Sequence, residues 1–507
     1  MLWYDSKDWA KPGAPKAELK APRPLPPEYV TMLNDGISGD VLWPGGDEYN
    51  VQRHVSNPAF NNYPTVIVMC ESEDDVALCL KVARESGFPA VGRSGGHSTA
   101  GFSSPDDTIV INISRMVEIN ISNDQASVWV DVGCNFGTLN ARLEQYNLHT
   151  PGGACPDVCI GGYMQGGGYG FTARIFGLNC DQLLEAKIMT TDGVIRNARP
   201  DGDEMEKDLF WAIKGGTGSN FGILLKVCFK LQPSADFAGF SVRWDLFGDD
   251  GPDNGATALN WLQENFTKSQ ISRELGYQMI WVFEGPEGRE RKPYLLMRGM
   301  YKGSREEMLD RLDGVLNLPG AVLEYEFSPL PYTMLNKILL TTPYEVPQFP
   351  ASVKASHSAP PESKLSRILK KALKPEDWKV LIEHFLRAPN PYTIVAMEMY
   401  GAAINEIGMD DTAFVHRDDY CDLFCDVFWL TEEDRAPAEK FIAEWEDYVE
   451  PFWDGAVYQN YPRVDDHNFA RQFWTGEAYE RLVRIKRRVD PDHVLRFSQS
   501  IGMLGED

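Results

Sequence analysis

Residues 151–170 read PGGACPDVCIGGYMQGGGYG, and eight of these twenty residues are glycine. Each glycine costs chain entropy on folding, so this density indicates either a very tight turn or backbone that approaches a ligand closely. The segment has no GK[ST] sequence, which excludes a Walker loop, and it is not a GxGxxG that opens a helix. A glycine-rich structural loop and a ligand-binding loop both remain open from this segment alone.

A second glycine-bearing segment, RSGGHS, spans residues 93–98 and follows a predicted strand. A pair of glycines lets backbone N–H groups curl around an anion such as a pyrophosphate. His97 would then lie close to whatever molecule carries the phosphates. The alternative is a tight turn in which His97 has no special role.

The sequence around these two segments predicts a mixture of strands and helices. Residues 65–70 predict a buried strand, Ser72 and Asp75 have the spacing of a capping box, and the following helix ends at Gly87 before a strand at 89–92. This βαβ order predicts a parallel pair of strands. Further strands are predicted at 108–113, 118–122, 126–132, 185–190 and 223–231, and helices at 136–145 and 208–213.

The pattern changes after Pro233 and predicts a separate α+β domain. Strands are predicted at 240–246, 278–284, 294–301 and 392–400, with helices at 256–267, 304–315 and 376–387. Residues 346–373 predict a mobile loop, the proline-rich first fifty residues predict an extended lead-in, and regular patterning is expected from about Asn61. A helix is predicted at 477–489, before Asp490-Pro491.

Composition excludes several classes of function. Lys plus Arg number 49 and Asp plus Glu 74, for a net charge of −25, which disfavours nucleic acid and anionic membranes as partners. The sequence shows no signal-peptide pattern and no apolar run of about 18 residues, which predicts a cytoplasmic protein, or a secreted one only if the N-terminus shown is processed. The nine cysteines contain no CxxC pair, so neither a disulfide framework nor a metal site is expected.

Six segments, in order, resemble the motifs of the FAD-linked oxidases of the berberine-bridge and vanillyl-alcohol-oxidase type. The two glycine-rich segments resemble RSGGHS and GxCxxVxxGGxxxGGGxG, the family's loops on the flavin. The other four segments are DLFWAIKGGTGSNFGI at 208–223, TAFVHR at 412–417, YQNY at 458–461, and DP at 490–491 with QSI at 499–501. The resemblance covers residues 61–501 and is specific, because six matches occur in one order.

The resemblance implies the fold class and the domains. We expect an α+β protein with a two-part FAD-binding domain and a substrate domain built on a mostly antiparallel sheet covered by helices. The expected boundaries are an N-terminal extension at 1–60, the FAD-binding domain at 61–233, the substrate domain at 234–453, and a C-terminal segment at 454–507 that returns to the FAD-binding domain.

The resemblance also implies a bicovalent FAD and the residues around it. His97 would bond through Nδ1 to the flavin 8α-methyl group, and Cys155 would bond to flavin C6. Tyr461 would be the catalytic base, activated by Glu398, and Tyr169 would be a second phenol beside the flavin. The remaining expected cofactor-binding residues are Arg93, Ser94, Gly95, Gly96, Ser98, Val158, Gly161, Gly162, Gly166, Gly167, Gly168, Gly170, Gly222, Ile223, Tyr458 and Asn460.

The implied reaction is oxidation of a hydroxyl-bearing carbon of a sugar or natural-product alcohol, with dioxygen reduced to hydrogen peroxide. The alternatives are a dehydrogenase with another acceptor, an oxidative cyclase of natural products, and a flavin-binding protein without activity. Val158 favours the oxidase, because a small residue there leaves room for dioxygen. This chain departs from the family at Thr99, where a tyrosine is usual, at Cys159, where glycine is usual, and after Arg417, where no glutamine can be assigned.

Overall fold

The computed structural model describes residues 21–234, 236–266, 272–285, 291–341 and 360–502. Its first elements surround a four-stranded sheet, and they include two helices before the predicted start of regular structure. In chain order they are α1 (Pro27–Gly36), β1 (Asp40–Leu42), α2 (Asp47–Gln52), β2 (Val66–Met69), α3 (Glu73–Ser86), β3 (Ala90–Arg93) and β4 (Ile109–Asn112).

The prediction of an extended lead-in over the first fifty residues is wrong for residues 27–50, which contain α1, β1 and the start of α2. Pro27 lies in the first turn of α1, where its missing N–H costs nothing, so a proline-rich approach is compatible with a helix. The helix buries Leu33, and β1 pairs antiparallel with β2. The N-terminal segment is therefore part of the first sheet, while residues 1–20 lie outside the described residues.

The predicted βαβ unit is present and its two strands are parallel, but the strands are not neighbours in the sheet. Ser72 Oγ accepts a hydrogen bond from the Asp75 N–H at 3.2 Å, and Gly87 ends α3 in the left-handed region with φ of 71°, as predicted. However, β2 and β3 each pair in parallel with β4, which lies between them. The segment RSGGHS begins at the last residue of β3, at the carboxyl edge of this sheet.

A five-stranded sheet in the order β5-β6-β10-β8-β9 follows, together with a small β7-β11 pair. The strands are β5 (Ile119–Ile121), β6 (Ser127–Asp131), β7 (Leu148–His149), β8 (Leu183–Met189), β9 (Ile195–Ala198), β10 (Ile223–Lys230) and β11 (Gln232–Pro233). The helices are α4 (Phe136–Glu144), α5 (Ile160–Gln165), α6 (Ala173–Phe176) and α7 (Glu204–Ala212), with a 3-10 turn at Asn179–Gln182. The glycine-rich segment thus contains a short helix, α5, which composition alone does not indicate.

The predicted antiparallel sheet of the second half has seven strands, in the order β15-β12-β14-β13-β17-β18-β16. They are β12 (Phe237–Asp245), β13 (Leu275–Glu284), β14 (Lys292–Tyr301), β15 (Val322–Leu330), β16 (Glu362–Leu369), β17 (Ile394–Met399) and β18 (Cys421–Phe428). The helices are α8 (Gly251–Asn265), α9 (Arg305–Leu316), α10 (Tyr332–Thr341), α11 (Pro375–Phe385) and α12 (Glu432–Val449), with 3-10 turns at Ala402–Glu406 and Glu450–Phe452.

This sheet has one face against helices and one face against a cavity. Met279 and Trp281 of β13 belong to the core that includes Trp378 of α11 and Trp445 of α12. The alternate residues of the strands point the other way, because successive side chains of a strand alternate between faces. We refer to this second side, which carries Gln278, Glu398, Lys364 and Asp426, as the cavity face. The expected α+β class is confirmed.

The predicted loop over residues 346–373 is wrong where the structure describes it. Residues 362–369 form β16, which pairs antiparallel with β18 over its whole length. The lysines in this stretch favour a surface loop in a sequence pattern, but Lys364 lies inside the protein and is paired with Asp426. Residues 346–359 lie outside the described residues.

The C-terminal part returns to the first two sheets. It contains α13 (Phe469–Phe473) and α14 (Gly476–Val489), close to the predicted helix at 477–489. Buried Lys486 donates hydrogen bonds to Asp490 Oδ2 at 2.5 Å and to the Leu495 carbonyl oxygen at 2.7 Å. Leu495 in turn forms an isolated parallel β-bridge with Ala90, the first residue of β3. None of the helices in the described part of the chain has the length and apolar character that a bilayer crossing requires.

Candidate active site

A cavity of about 700 Å³ lies where the two glycine-rich segments meet the cavity face of the seven-stranded sheet. Its size is within the range of about 300–1,000 Å³ that is usual for ligand pockets. Most of the predicted site residues line it. They are Arg93, Ser94, Gly95, Gly96, His97, Ser98, Cys155, Val158, Gly161, Gly162, Tyr169, Gly222, Ile223, Glu398, Tyr458, Asn460 and Tyr461.

Four predicted cofactor-binding glycines, Gly166, Gly167, Gly168 and Gly170, are not part of this lining. Gly167 has φ of 109°, and a Cβ there would lie 2.6 Å from the Phe414 ring. A Cβ on Gly170 would lie 2.0 Å from the Gly152 carbonyl oxygen. At both positions another part of this chain approaches the backbone closely. That contact is sufficient to explain why glycine is needed there, and no ligand has to be invoked.

His97 lies in the loop after β3 and faces Asp157, with 3.6 Å between His97 Nε2 and Asp157 Oδ2. Burial lowers the pKa of His97 below its usual value, while the Asp157 carboxylate acts in the opposite direction. The imidazole is therefore neutral at pH 7, so one of its two ring nitrogens carries no proton. A neutral imidazole is the form that can act as a nucleophile.

Cys155 is exposed and lines the same cavity. The Cys155 thiol is open to the cavity, and the protein atoms that enclose the cavity raise its pKa above the usual value. Cys159, four residues later, also lines the cavity and packs against Gly95 in the loop of His97. A Cβ added to Gly95 would lie 2.9 Å from Cys159 Sγ. The unusual Cys159 thus fills the space beside Gly95 and holds the two glycine-rich segments together.

Arg93 supports the loop from behind. It donates to the carbonyl oxygens of Gln52 and His54 at 2.5 and 2.6 Å, and burial lowers its pKa to about 10. Gly96 has φ of 73°, and a Cβ there would lie 2.7 Å from Arg93 Nη2. The guanidinium therefore anchors the segment around α2 to this loop.

The floor of the cavity suits a large, flat cofactor with phosphates. Gly162 lines the cavity, and a Cβ there would meet no atom within 4 Å, so its Cα faces open space. Gly161, beside it, has no such room, because a Cβ would lie 3.1 Å from Ser94 Oγ. Glycine backbone from both segments, with one imidazole and one thiol facing the same space, fits the FAD that the sequence predicts.

The opposite wall carries a tyrosine–glutamate pair. Tyr461 donates its phenolic proton to Glu398 Oε1 at 3.1 Å. Burial, followed by the nearby Asp422, raises the pKa of Glu398 to about 8. Burial and the charge of Glu398 raise the pKa of Tyr461 well above 10. Both groups therefore hold their protons at pH 7, and the pair can accept a proton when Glu398 ionises.

Two further tyrosines brace this wall. Tyr169 donates to the Met399 carbonyl at 3.1 Å, which ties the glycine-rich segment to the residue after Glu398. The Tyr458 hydroxyl accepts the backbone N–H groups of Gly168 and Tyr169 at 3.0 and 3.1 Å. Asn460 donates to the same hydroxyl at 2.9 Å. These bonds fix the position of the segment that ends at Tyr461.

Thr99 occupies the position where the family usually has a tyrosine. Its hydroxyl donates to the Pro462 carbonyl at 3.2 Å, next to Tyr461. Thr99 lines the cavity, so the smaller side chain leaves more room in front of the Tyr461–Glu398 pair.

Sequence reasoning missed several polar residues of the cavity face, among them Glu362, Lys364 and Asp426. Lys364 Nζ lies 2.6 Å from Asp426 Oδ2 and 4.3 Å from the ring centroid of Tyr461. A signal was present in β18, where Asp422, Phe424 and Asp426 alternate and therefore share one face. Lys364 gave no such signal, because the sequence predicted a loop for the stretch that contains it.

The comparisons with known proteins agree with these observations. Residues 64–199 match the family described as FAD binding domain, and residues 457–502 match the family described as Berberine and berberine like. The curated "Uncharacterized FAD-linked oxidoreductase YgaK" of Bacillus subtilis (strain 168) is 28% identical over 93% of this chain and 98% of its own length. The "Carbohydrate oxidase" of Microdochium nivale is 24% identical over 92% and 93%, respectively. The solved structure of wild-type Physcomitrella patens BBE-like 1 has a TM-score of 0.79 at 23% identity, over 93% of this chain and 98% of that one, which shows a common fold.

Proposed function

Since this chain is an FAD-linked oxidoreductase of the berberine bridge enzyme-like family, we propose that it oxidises a hydroxyl-bearing carbon of a sugar or natural-product alcohol and reduces dioxygen to hydrogen peroxide. The observation that carries this proposal is the Tyr461–Glu398 hydrogen bond at the wall of the cavity that also contains His97 and Cys155. The tyrosine–glutamate pair on one wall and the imidazole and thiol on the glycine-rich segments leave the space between them for cofactor and substrate.

The cofactor in this proposal is FAD held by two covalent bonds. His97 would be linked through Nδ1 to the 8α-methyl group, and Cys155 to C6. The bound flavin supplies the hydride acceptor of the reaction. Support comes from the neutral imidazole and from the position of both side chains on one cavity. Gly95, Gly96, Gly161, Gly162 and Gly222 would form the surface on which the cofactor rests.

The protein's part in the chemistry is to take the hydroxyl proton. As the substrate carbon gives up a hydride, its hydroxyl proton passes to Tyr461, and the proton of Tyr461 passes to Oε1 of ionised Glu398 along the 3.1 Å hydrogen bond. The substrate thereby loses one hydride and one proton and becomes a carbonyl compound. Because the pKa of Glu398 is about 8, the carboxylate is a stronger base than an ordinary glutamate.

The domain division of this proposal follows the cavity. An FAD-binding domain at 61–233, with the C-terminal segment at 454–507, would hold the cofactor, and a substrate domain at 234–453 would supply Glu398 and the cavity face. Tyr461 lies on the C-terminal segment, so its hydrogen bond to Glu398 would join the two parts. Tyr169 and Tyr458 would keep that junction in register.

A peroxide-coupled screen of the holoenzyme tests the proposed function. The panel contains monosaccharides and oligosaccharides on one side, and aromatic and polyketide alcohols on the other. We expect peroxide that depends on enzyme and substrate and disappears when catalase is added. If no alcohol in the panel bleaches the flavin under anaerobic conditions, the proposed alcohol oxidation is incorrect.

A further inference from the structure

A lysine and two carboxyl groups line the cavity beside the Tyr461–Glu398 pair, and the proposed proton transfer does not use them. Lys364 on β16 lies directly opposite Asp426 on β18, with 2.6 Å between Lys364 Nζ and Asp426 Oδ2. Glu362 lies two residues before Lys364 on the same edge of the cavity. We call Glu362, Lys364 and Asp426 the β16–β18 cluster.

The β16–β18 cluster contains an acceptor that the protein leaves unused. Asp426 is only 8% exposed, and one of its oxygens, Oδ2, is bonded to Lys364. The other oxygen, Oδ1, is buried and has no hydrogen-bond partner within the described residues. Most buried polar atoms in proteins have a partner, so Asp426 Oδ1 is available to a donor from water or from a ligand in the cavity that Asp426 lines.

The position of Lys364 determines which donor fits. Its ammonium group lies 4.3 Å from the ring centroids of both Tyr461 and Phe424, which fixes it beside the proposed base. The charges of Asp426 and Glu362 raise the pKa of Lys364 against the effect of burial, so it remains a cation. A second cation would be repelled at this distance, whereas a neutral hydroxyl group can donate to Asp426 and accept from Lys364.

We propose that the β16–β18 cluster is a specificity subsite that binds a second, non-reacting hydroxyl group of a polyhydroxylated substrate such as a sugar. The substrate hydroxyl would donate a hydrogen bond to Asp426 Oδ1 and accept one from Lys364 Nζ. Glu362 would be a further polar group on the same side of the cavity. Lys364 lies over the ring of Tyr461, so the bound hydroxyl belongs near the carbon that is oxidised. This inference rests on the proposed function and selects sugars over mono-alcohols within it.

Binding measured in the absence of turnover tests the subsite. The background is Tyr461→Phe holoenzyme, which keeps the ring under Lys364 and should oxidise substrate slowly. The probes are glucose, galactose and cellobiose, the 2-deoxy and 3-deoxy derivatives of the two monosaccharides, benzyl alcohol as a mono-alcohol, and tyramine as an amine. The readouts are calorimetry and the perturbation of the flavin absorption spectrum.

The variant replaces the ion pair as a unit, with Lys364→Met and Asp426→Leu together. Replacing both members of a buried pair by apolar residues of similar size is commonly tolerated, whereas removing one member leaves a buried charge. Glu362→Gln is a second, milder variant. The matched control is Lys379→Met with Asp253→Leu, which removes an exposed ion pair outside the cavity lining.

In the background protein we expect at least one deoxy derivative to bind about 10- to 100-fold more weakly than its parent, because a site built to hydrogen-bond a hydroxyl rejects an analogue that lacks it. In the double variant the parent sugar should bind at least about tenfold more weakly, and the deoxy penalty should fall below about threefold. Glu362→Gln should weaken the parent sugar without removing the penalty. Benzyl alcohol and the control pair should show no change.

Three outcomes would overturn the subsite. They are a deoxy penalty that is equal with and without the ion pair, sugars that do not bind at all, and tyramine as the ligand whose binding depends on the ion pair. A failure of the proposed function would give a different result. If sugars bind with the expected penalty but the unaltered enzyme oxidises no alcohol, the subsite stands and the proposed oxidation does not.

Discussion

The ionisation of Glu398 should control how fast substrate reduces the flavin. Its pKa is raised to about 8 by burial and by Asp422, so the carboxyl group holds its proton below this pH and loses it above. Only the ionised form can take the proton of Tyr461. A group with this pKa is about one-tenth ionised at pH 7 and about nine-tenths ionised at pH 9. We therefore expect the reduction rate to rise about tenfold between pH 7 and pH 9.

Glu398→Gln separates the proton transfer from the hydrogen bond. Glutamine has nearly the same shape and can still accept the hydrogen bond from Tyr461, but it cannot take the proton. At pH 9 the variant should be slower by about 10²–10⁴, the usual contribution of general acid–base catalysis, and the rise with pH should disappear. Asp422→Asn is the matched control. It removes a neighbouring carboxyl group that is outside the cavity lining, and should move the midpoint to lower pH while keeping the rise.

The assay is anaerobic stopped-flow reduction with the best alcohol from the screen, followed by the loss of oxidised-flavin absorbance from pH 6 to pH 10. Working without dioxygen isolates the reductive half of the reaction, so oxygen chemistry cannot mask the ionisation. A rate that is flat over this range in the unaltered enzyme would refute the assignment of Glu398. An identical rise in Glu398→Gln would refute it as well, because the ionising group would then be elsewhere.

Three other predictions concern the cofactor and the base. Acid-precipitated holoenzyme should stay yellow, and a flavin mass should accompany the peptides of His97 and Cys155; a colourless precipitate would contradict the bicovalent attachment. Tyr461→Phe should lower the rate of flavin reduction by about 10²–10⁴ with unchanged flavin content, and an unaltered rate would remove this residue from the mechanism. Val158 lines the cavity, so Val158→Leu should fill the gap that dioxygen needs and slow reoxidation in air while reduction is nearly unchanged, whereas exposed Val464→Leu should have no effect. If the unaltered enzyme regains its yellow colour only over many minutes of stopped-flow reoxidation, it is a dehydrogenase.

Local sequence signals predicted many of the helices and strands, but not which strands become neighbours. The capping box at Ser72 and the glycine at position 87 act over a few residues, and both are confirmed. The insertion of β4 between β2 and β3 depends on pairing between distant segments, which no local pattern encodes. In the same way, a helix could begin at Pro27 because proline is compatible with a first turn, although proline-rich sequence suggests extended chain.

The residues of the candidate site show the same difference between local signals and distant pairing. The residues on the two glycine-rich segments could be predicted because each segment is contiguous and its motif is specific. The β16–β18 cluster could not, because Lys364 and Asp426 are 62 residues apart and meet only through the register of two strands. Burying a lysine is unfavourable unless its charge is paired. A lysine in a charged, proline-bearing stretch is therefore predicted to lie at the surface until its partner carboxylate is known.

Even within the contiguous motif, residue type alone cannot separate ligand-facing glycines from packing glycines. Gly162 faces open space in the cavity, whereas Gly167 lies against the Phe414 ring and Gly170 against the Gly152 carbonyl. Gly167 and Gly170 exclude a larger side chain because protein atoms approach them closely, whereas a Cβ at Gly162 would enter the cavity in which we propose that the cofactor binds. Gly162→Ala should therefore weaken cofactor loading without destabilising the folded chain, whereas Gly170→Ala should destabilise the fold first. The motif specifies where glycines occur, and the three-dimensional packing decides which of them line the cavity.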